Sequence, residues 1–323
     1  MSQPPYPSYQ DEPERWLLEP SASGLSHGWL IPKPEPESWW KKYGRHLVLF
    51  VLTCGSVYMT GELVMGSGVG LPLTVALMSI LLAHEMGHYL ACVYYGIDAT
   101  LPFFLPLPFV TLVGTLGAFI RVRSPFPNRR ALFDMGIAGP LAGFAVCLPV
   151  LFLGALEARV IPTPADSSTL RSFADPLIMT WIFGWLRGDV PDGYSVLMGP
   201  LMMAGWFGCL VTALNLMPIG QLDGGHATYA LFGSHANRLS RWLWWCCVAL
   251  VAWSPSWILW AVLLRALGRA HPPTLNDRIR LDRGRVLVAL VSLGVFCVCF
   301  MANPLMVSWP TVFDALRESF TSR

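Results

Sequence analysis

The sequence predicts an all-α polytopic membrane protein with about seven transmembrane helices and a short membrane-associated β-hairpin. The first reason is composition, because 54% of the 323 residues are hydrophobic and only 13% are charged, whereas charged residues make up roughly a quarter of an ordinary soluble domain. The second reason is that the apolar residues are gathered into runs of about 20, the length of helix that crosses a bilayer. A net charge of +2 is too small to indicate nucleic acid as a partner.

Five apolar runs each predict one transmembrane helix because each comes close to the required length. They are 46–65, 71–95, 131–155, 196–219 and 286–302. A sixth run, 239–267, is interrupted by "WSPSW" and can be either one long span or a tight hairpin of two short ones.

Basic residues at the ends of the runs decide between these alternatives. Lys41, Lys42 and Arg45 precede the first run, and four arginines between 121 and 130 precede the third, so both regions are expected in the cytoplasm. The segment 269–285 carries five arginines and is expected on the same side. Alternation allows this only if "WSPSW" is an external turn, so we favour the hairpin and seven spans.

The predicted domain organisation has three parts. A flexible cytoplasmic tail, 1–45, precedes a transmembrane domain, 46–302, with its core at 71–229, and a short carboxyl tail, 303–323, follows. The start of the chain lacks a cleavable signal peptide, so we expect the tail to be retained, and it lacks an Arg/Ser-rich transit leader, which favours a bacterial plasma membrane over an organelle. All eight cysteines lie in apolar runs and are expected to be packing residues rather than disulfides.

The segment 99–122 is apolar enough to enter the bilayer but contains three closely spaced prolines. Because proline breaks a helix, this segment is not predicted to span the membrane as one. Non-helical backbone at membrane depth must be covered by protein or line a cavity, so we expect an extended hairpin beside the helices, with an open edge. The alternative is a loop lying on the surface.

The stretch "LLAHEMGHYLACVYYG" places ionisable groups inside the second apolar run. On a helix, His84 and His88 lie on one face with Glu85 beside it. Two imidazoles at this spacing can hold one zinc ion, and the carboxylate can take a proton from water at the metal. His84 is expected roughly 15 Å from the cytoplasmic end of its span, where an ionisable group is costly and indicates function. The alternative is a structural histidine pair beside a neutral glutamate.

A catalytic zinc ion usually has three protein ligands, so a third must be found. Cys92 is excluded because it extends the histidine stripe over about 12 Å of one straight helix and cannot reach the same ion. The candidate carboxylates are Glu62, Asp134 and Asp223. Asp223 has the strongest context, "NLMPIGQLDGGH", in which proline and glycines break the helix and allow close backbone approach. His226 is the competing ligand, and Asp134 is expected to cap or anchor the third span.

The motifs HEMGH and NLMPIGQLDGG together resemble those of the site-2 protease family of intramembrane zinc metalloproteases. The likeness covers roughly 71–229 and includes the glycine-rich "GIAGPLAGF" of the intervening span. The resemblance implies that His84, His88 and Asp223 ligate zinc and that Glu85 is the general base. It also implies hydrolysis of peptide bonds within or near transmembrane segments of single-span substrates in the bilayer, in regulated proteolysis.

The resemblance also bears on how a substrate is held. The family's asparagine ahead of the aspartate matches Asn215, a candidate for holding the substrate backbone, and the alternative is a helix-packing amide. A protease must unwind the helix that it cuts, and unwound backbone in a membrane needs new hydrogen-bond partners. We therefore predict that part of 112–122 pairs with the substrate by strand addition.

Small residues at helical spacing predict close packing around the metal. Ala83, Gly87 and Ala91 share one face of the second span, and Gly139 and Gly143 share a face of the third. Two other functions compete: a metal-ion transporter, and an inactive membrane scaffold of the same fold. A transporter is expected to repeat metal groups along a path between related halves, and an inactive scaffold to lack one of the four catalytic side chains; neither is seen in the sequence.

Overall fold

The structure is a computed structural model, which describes residues 16–18, 30–32, 38–163, 174–267 and 270–303. The chain divides into two compact units, Met1–Arg45 and His46–Arg323. In the first unit, strands β1 (Trp16–Leu18) and β2 (Leu30–Pro32) pair antiparallel. Most of the predicted amino tail, and the predicted carboxyl tail after Asn303, lie outside the described residues.

Within the part of the chain that the structure describes, three helices are long and apolar enough to cross a membrane. They lie within Tyr43–Met65, Gly70–Tyr94 and Arg129–Glu157. The first combines α1 (Trp39–Thr60) with a π-helical turn, Gly61–Met65, and the others are α2 (Gly70–Tyr94) and α3 (Arg129–Glu157). These are the first three predicted spans, whereas the count of seven stays a prediction.

The remaining described helices are shorter. They are α4 (Leu177–Arg187), α5 (Pro200–Asn215), α6 (Asp223–Phe232), α7 (His235–Leu250), α8 (Ser256–Leu267) and α9 (Arg283–Cys299). Helix α5 occupies only 16 residues of the predicted span 196–219. Its start is set by Pro200, which suits the first turn of a helix, and Pro218 limits its continuation at the other end.

The "WSPSW" segment does interrupt the sixth run. Helices α7 and α8 stand on either side of it, and the Trp244 indole N–H donates to the Ala261 carbonyl at 3.0 Å, which ties the two helices together. The predicted break between two short helices is therefore confirmed. At 16 and 12 residues, each is shorter than a typical spanning helix.

The proline-rich segment forms the predicted extended hairpin. Strand β3 (Phe103–Pro106) pairs antiparallel with β4 (Thr115–Phe119), Phe103 lying opposite Phe119, and the register shifts between Phe104 and Pro106. A second small sheet joins β5 (Arg159–Pro162), which follows the carboxyl end of α3, to β6 (Tyr194–Leu197), which precedes α5.

Helix α3 is the central element of the second unit, packing against α2, α5 and α6. The Asn128 side chain begins it by accepting from the backbone N–H groups of Arg130 and Ala131, both at 3.0 Å. Its Leu132 and Phe133 lie in the main core with Trp206 of α5, all almost fully buried. All eight cysteines are free thiols, and five of them are buried as packing residues would be: Cys92, Cys147, Cys209, Cys247 and Cys299.

Candidate metal centre

Helix α2 presents the HEMGH residues in the interior of the protein. His84, Glu85 and His88 are 3%, 6% and 5% exposed, respectively. Because the helix is continuous through this stretch, the two imidazoles emerge one turn apart on the same face, as the spacing predicted.

Helix α6 supplies the third side chain because the backbone turns sharply before it. Gly220 adopts a positive φ of 56°, which glycine tolerates without strain. A Cβ on Gly224 would lie 2.0 Å from the Leu216 carbonyl oxygen, and one on Gly225 would lie 2.3 Å from the Gly220 carbonyl oxygen. Only glycine fits at these two positions, and the tight turn returns Asp223 to the histidines.

The three side chains converge on one point. The Nε2 atoms of His84 and His88 are 3.2 Å apart, and they lie 3.3 and 3.2 Å from Asp223 Oδ2. Zinc bonds to these donors are about 2.0–2.1 Å long, so ligand atoms at the corners of a tetrahedron are about 3.3 Å apart. Two imidazoles and a carboxylate are also a donor set that zinc prefers, and the residues present therefore fit the ion.

Neighbouring groups orient the ligands. His88 Nδ1 lies 2.7 Å from the Met135 carbonyl oxygen of α3. A carbonyl only accepts, so Nδ1 carries the proton and the Nε2 lone pair faces the cluster. The Asn215 amide at the end of α5 lies 3.2 Å from His84 Nε2, which places it at the edge of the same centre.

Glycines of α3 make room for the histidines. A Cβ on Gly139 would lie 2.1 Å from His88 Nε2, and one on Gly143 would lie 3.0 Å from His84 Cβ. A glycine of α2 likewise makes room for α3, because a Cβ on Gly87 would lie 2.4 Å from the Ala138 carbonyl oxygen. The predicted close approach of the small-residue faces is therefore present, and it encloses the metal centre.

Glu85 lies beside the three ligand side chains without joining them. Strand β4 of the extended hairpin contacts α2, the helix that carries Glu85, and Ile120, which follows β4, packs against the apolar cluster that includes Cys92 of α2. A carboxylate in this position can exchange a proton with a molecule bound at the three ligands.

The other candidate ligands are elsewhere. Glu62 accepts from the N–H groups of Gly68 and Gly70, at 3.0 and 2.9 Å. His226, the competing ligand, is outside the cluster: its Nδ1 lies 2.7 Å from Nε2 of His271. Sequence reasoning gave His271 no role, because no spacing motif connects it to the HEMGH or LDGG residues.

Asp134 anchors the third span, as expected, but through partners that the sequence did not indicate. Its carboxylate accepts from Arg285 Nε at 2.8 Å and Nη2 at 2.6 Å, and from the Tyr95 hydroxyl. This contact joins the cytoplasmic ends predicted for α2 and α3 to the beginning of α9.

The sequence model of peptidase family M50 matches residues 72–243, just over half of the chain. The chain therefore belongs to peptidase family M50. The match spans the HEMGH helix, the glycine-rich helix α3 and the Asp223 turn, so the family membership that the motifs suggested is confirmed.

Named relatives are plant proteins. The chain is 34% identical over 172 residues to "Probable zinc metalloprotease EGY1, chloroplastic" of Arabidopsis thaliana, covering 51% of this chain and 30% of that protein. Its rice counterpart (Oryza sativa subsp. japonica) is also 34% identical over 172 residues, 51% of this chain and 29% of that protein. Arabidopsis "Probable zinc metalloprotease EGY2, chloroplastic" is 29% identical over 252 residues, 76% of this chain and 43% of the relative.

The chain thus spans less than half the length of these relatives. Their names place them in the chloroplast and give no support to the expectation of a bacterial plasma membrane, which stays a prediction.

Proposed function

We propose that this protein is an intramembrane zinc metalloendopeptidase that hydrolyses peptide bonds within or near transmembrane segments of other membrane proteins, in regulated proteolysis. One observation carries the proposal: His84 and His88 meet Asp223, about 135 residues further along the chain, at ligand separations of 3.2–3.3 Å, with Glu85 alongside. Membership of peptidase family M50 and relatives named zinc metalloproteases support it.

Each side chain has a role in this proposal. His84, His88 and Asp223 hold the zinc ion. Zinc supplies Lewis acidity, which lowers the pKa of water and polarises the scissile carbonyl. The Glu85 carboxylate accepts a proton from the attacking water and returns it to the leaving amine. Asn215, whose amide borders the centre, hydrogen-bonds the substrate backbone next to the cleaved bond.

The extended hairpin is proposed to hold the unwound substrate. Strand β4 pairs on one side with β3, and within the described ranges its other side pairs with no strand. Leu116 and Phe119 of this strand are exposed, as a surface in contact with lipid or with a substrate would be. Because β4 contacts α2, which carries Glu85, a substrate strand added to β4 would lie close to the helix of the general base.

The substitution Glu85→Gln tests the reaction. Glutamine keeps the size of the side chain but accepts no proton at neutral pH, so cleavage of a single-span reporter should fall by about 10²–10⁴-fold while zinc content is unchanged. The matched control is Glu62→Gln, whose amide oxygen can still accept from the α2 amino end. Its cleavage rate should remain close to wild type.

The same experiment separates a protease from a transporter. In liposomes, a transporter would move zinc and leave the reporter intact, whatever residue occupies position 85. Undiminished cleavage by the Glu85→Gln protein would remove the proposed role of Glu85, and an intact reporter with the wild-type protein would remove the proposed activity.

Proline scanning tests substrate pairing with β4. Proline has no N–H to offer an added strand, so proline at successive positions of Thr115–Phe119 should lower the cleavage rate while zinc content is retained. Helix-breaking residues in the substrate should raise it. Val196→Pro in β6, a strand of the other small sheet, is the control. Unchanged turnover at every scanned position of β4 would exclude strand addition there.

A further inference from the structure

A second histidine pair lies behind the metal centre. His226 is on α6, three residues after Asp223 and so nearly one helical turn away. Its Nδ1 lies 2.7 Å from Nε2 of His271, which belongs to the segment between α8 and α9. The HEMGH chemistry makes no use of either ring, yet His271 is only 6% exposed.

The proton positions in this pair follow from its end partner. His271 Nδ1 lies 2.6 Å from the Pro272 carbonyl oxygen, which only accepts, so this nitrogen carries the proton. Burial lowers the pKa of both rings, that of His226 to about 3, and both are therefore neutral at physiological pH. His271 Nε2 is then an acceptor, and His226 Nδ1–H donates to it.

Helix α6 has little local reason to hold Asp223 in one orientation. It is ten residues long, and no side chain caps its amino end. Gly224 and Gly225 follow Asp223, and each glycine disfavours a helix by about 1 kcal/mol relative to alanine. The turn geometry requires these glycines, so the orientation of Asp223 depends on the contacts that the first turn of α6 makes with neighbouring elements.

His226 provides that anchor on two sides. A Cβ on Gly136 of α3 would lie 2.8 Å from His226 Cβ and 3.0 Å from the Asp223 carbonyl oxygen, so the first turn of α6 lies directly on α3. The His271 imidazole holds the His226 ring from the other side. Freeing this ring would loosen the turn that carries Asp223.

His271 is itself held firmly. Its backbone N–H donates to Asn237 Oδ1 at 2.9 Å, and the Asn237 amide donates to its carbonyl at 3.3 Å. The ring stacks on Tyr229 of α6, with centroids 4.4 Å apart, and the Tyr229 hydroxyl donates to Asp277 at 2.7 Å. The anchor is therefore fixed to both α6 and α7, although His271 lies outside the residues that the family model matches.

We propose that His271 is a positioning residue for the metal centre: it holds His226 and thereby fixes the first turn of α6, which carries Asp223. This inference rests on the proposed function only in taking Asp223 as a zinc ligand. The segment that follows α8 is then part of the metal-binding scaffold rather than a simple connection to α9.

Two substitutions at His271 separate positioning from packing. Phenylalanine keeps a ring to stack on Tyr229 but offers no acceptor, leaving His226 Nδ1–H unpaired. Glutamine can place an acceptor oxygen near the position of Nε2. The rate of zinc release to a chromogenic chelator should rise about tenfold for His271→Phe, at the lower end of effects of residues that orient ligands, and should return close to wild type for His271→Gln.

The controls separate this effect from general destabilisation. His235→Phe makes the same change at an exposed histidine of α7 and should leave zinc release unchanged. Asn237→Ala, which removes the bonds to the His271 backbone without altering either imidazole, should raise zinc release by a smaller factor and serves if the phenylalanine protein fails to fold. Thermal unfolding of each zinc-free protein measures stability separately.

Zinc release at the wild-type rate from His271→Phe, or from Asn237→Ala if the former cannot be purified, would overturn the inference. So would equally fast release from His271→Phe and His271→Gln. Zinc release needs no peptide hydrolysis, so failure of the proposed protease activity would leave this result intact. Conversely, if the enzyme cleaves the reporter but its zinc release is unchanged by substitution of His271, only the positioning role is excluded.

Discussion

Asp223 lies at the start of α6, which packs against α3, and Asp134 lies near the start of α3 itself. Both are carboxylates near helix ends, but their partners differ. Asp134 accepts from the Arg285 guanidinium, which also donates to Asp282, and from the Tyr95 hydroxyl. Asp223, with a side chain 16% exposed, faces two imidazole Nε2 atoms, and one of these imidazoles already donates its Nδ1 proton elsewhere. Asp134 is therefore already paired with a cation, which it shares with Asp282, whereas Asp223 belongs to a set of donors that could hold one.

This difference is the one expected between a structural carboxylate and the proposed metal ligand. A bidentate pair with arginine fixes the orientation of a carboxylate and stabilises its charge. A carboxylate that converges with two imidazole lone pairs is stable only when a cation or a proton lies among them. The comparison predicts that perturbing the Asp223 side abolishes metal binding, whereas perturbing the Asp134 side costs stability.

The largest effect is expected from Gly139→Ala. The added methyl group would meet His88 Nε2 at 2.1 Å, inside the space that the ligand atom occupies. We expect loss of zinc binding and of reporter cleavage, measured by mass spectrometry and gel assay. Gly294→Ala in α9 is the control, because a Cβ there meets no atom within 4 Å. Full zinc content in the Gly139→Ala protein would contradict the packing described for the centre.

A smaller effect is expected from Arg285→Ala. It removes the charged partner of Asp134 at the junction of α2, α3 and α9, and at this partly exposed site should lower the free energy of unfolding by about 1–2 kcal/mol. Arg285→Lys keeps the charge but cannot donate two parallel hydrogen bonds, so its free energy of unfolding should lie between those of the wild type and Arg285→Ala. Thermal unfolding in detergent measures the change, and zinc content should remain at the wild-type level. Zinc loss without a loss of stability would reverse the assignment of the two carboxylates.

The residues of the site that could be predicted are indicated by patterns among a few neighbouring residues of the sequence. HEMGH presents its ligands because four residues make one helical turn, and Asp223 is indicated by the glycines and proline that break the helix around it. The partnership of Asp134 with Arg285, 151 residues away, has no such signal. The same holds for His226 and His271, whose contact depends on how the segment after α8 packs against α6.

The fold likewise has parts that the sequence predicts and parts that it does not. The first three spans and the proline-rich hairpin follow from run length and from the missing N–H of proline. Counting later apolar runs as spans treats each as one straight helix, and those spans stay predictions. Helix α5, for example, is limited to 16 residues by strand β6 and Pro200 before it and by the turn after Asn215.

The most direct test of the central claim is the zinc content of Asp223→Ala beside Asp134→Ala, each purified in detergent and measured by mass spectrometry. Two imidazoles alone leave the ion under-coordinated, so Asp223→Ala should retain less than about a tenth of the wild-type zinc. Asp134→Ala should retain about one zinc per chain while unfolding at a lower temperature. Equal zinc in the two proteins, or zinc lost only from Asp134→Ala, would contradict the assignment of His84, His88 and Asp223 as the metal centre.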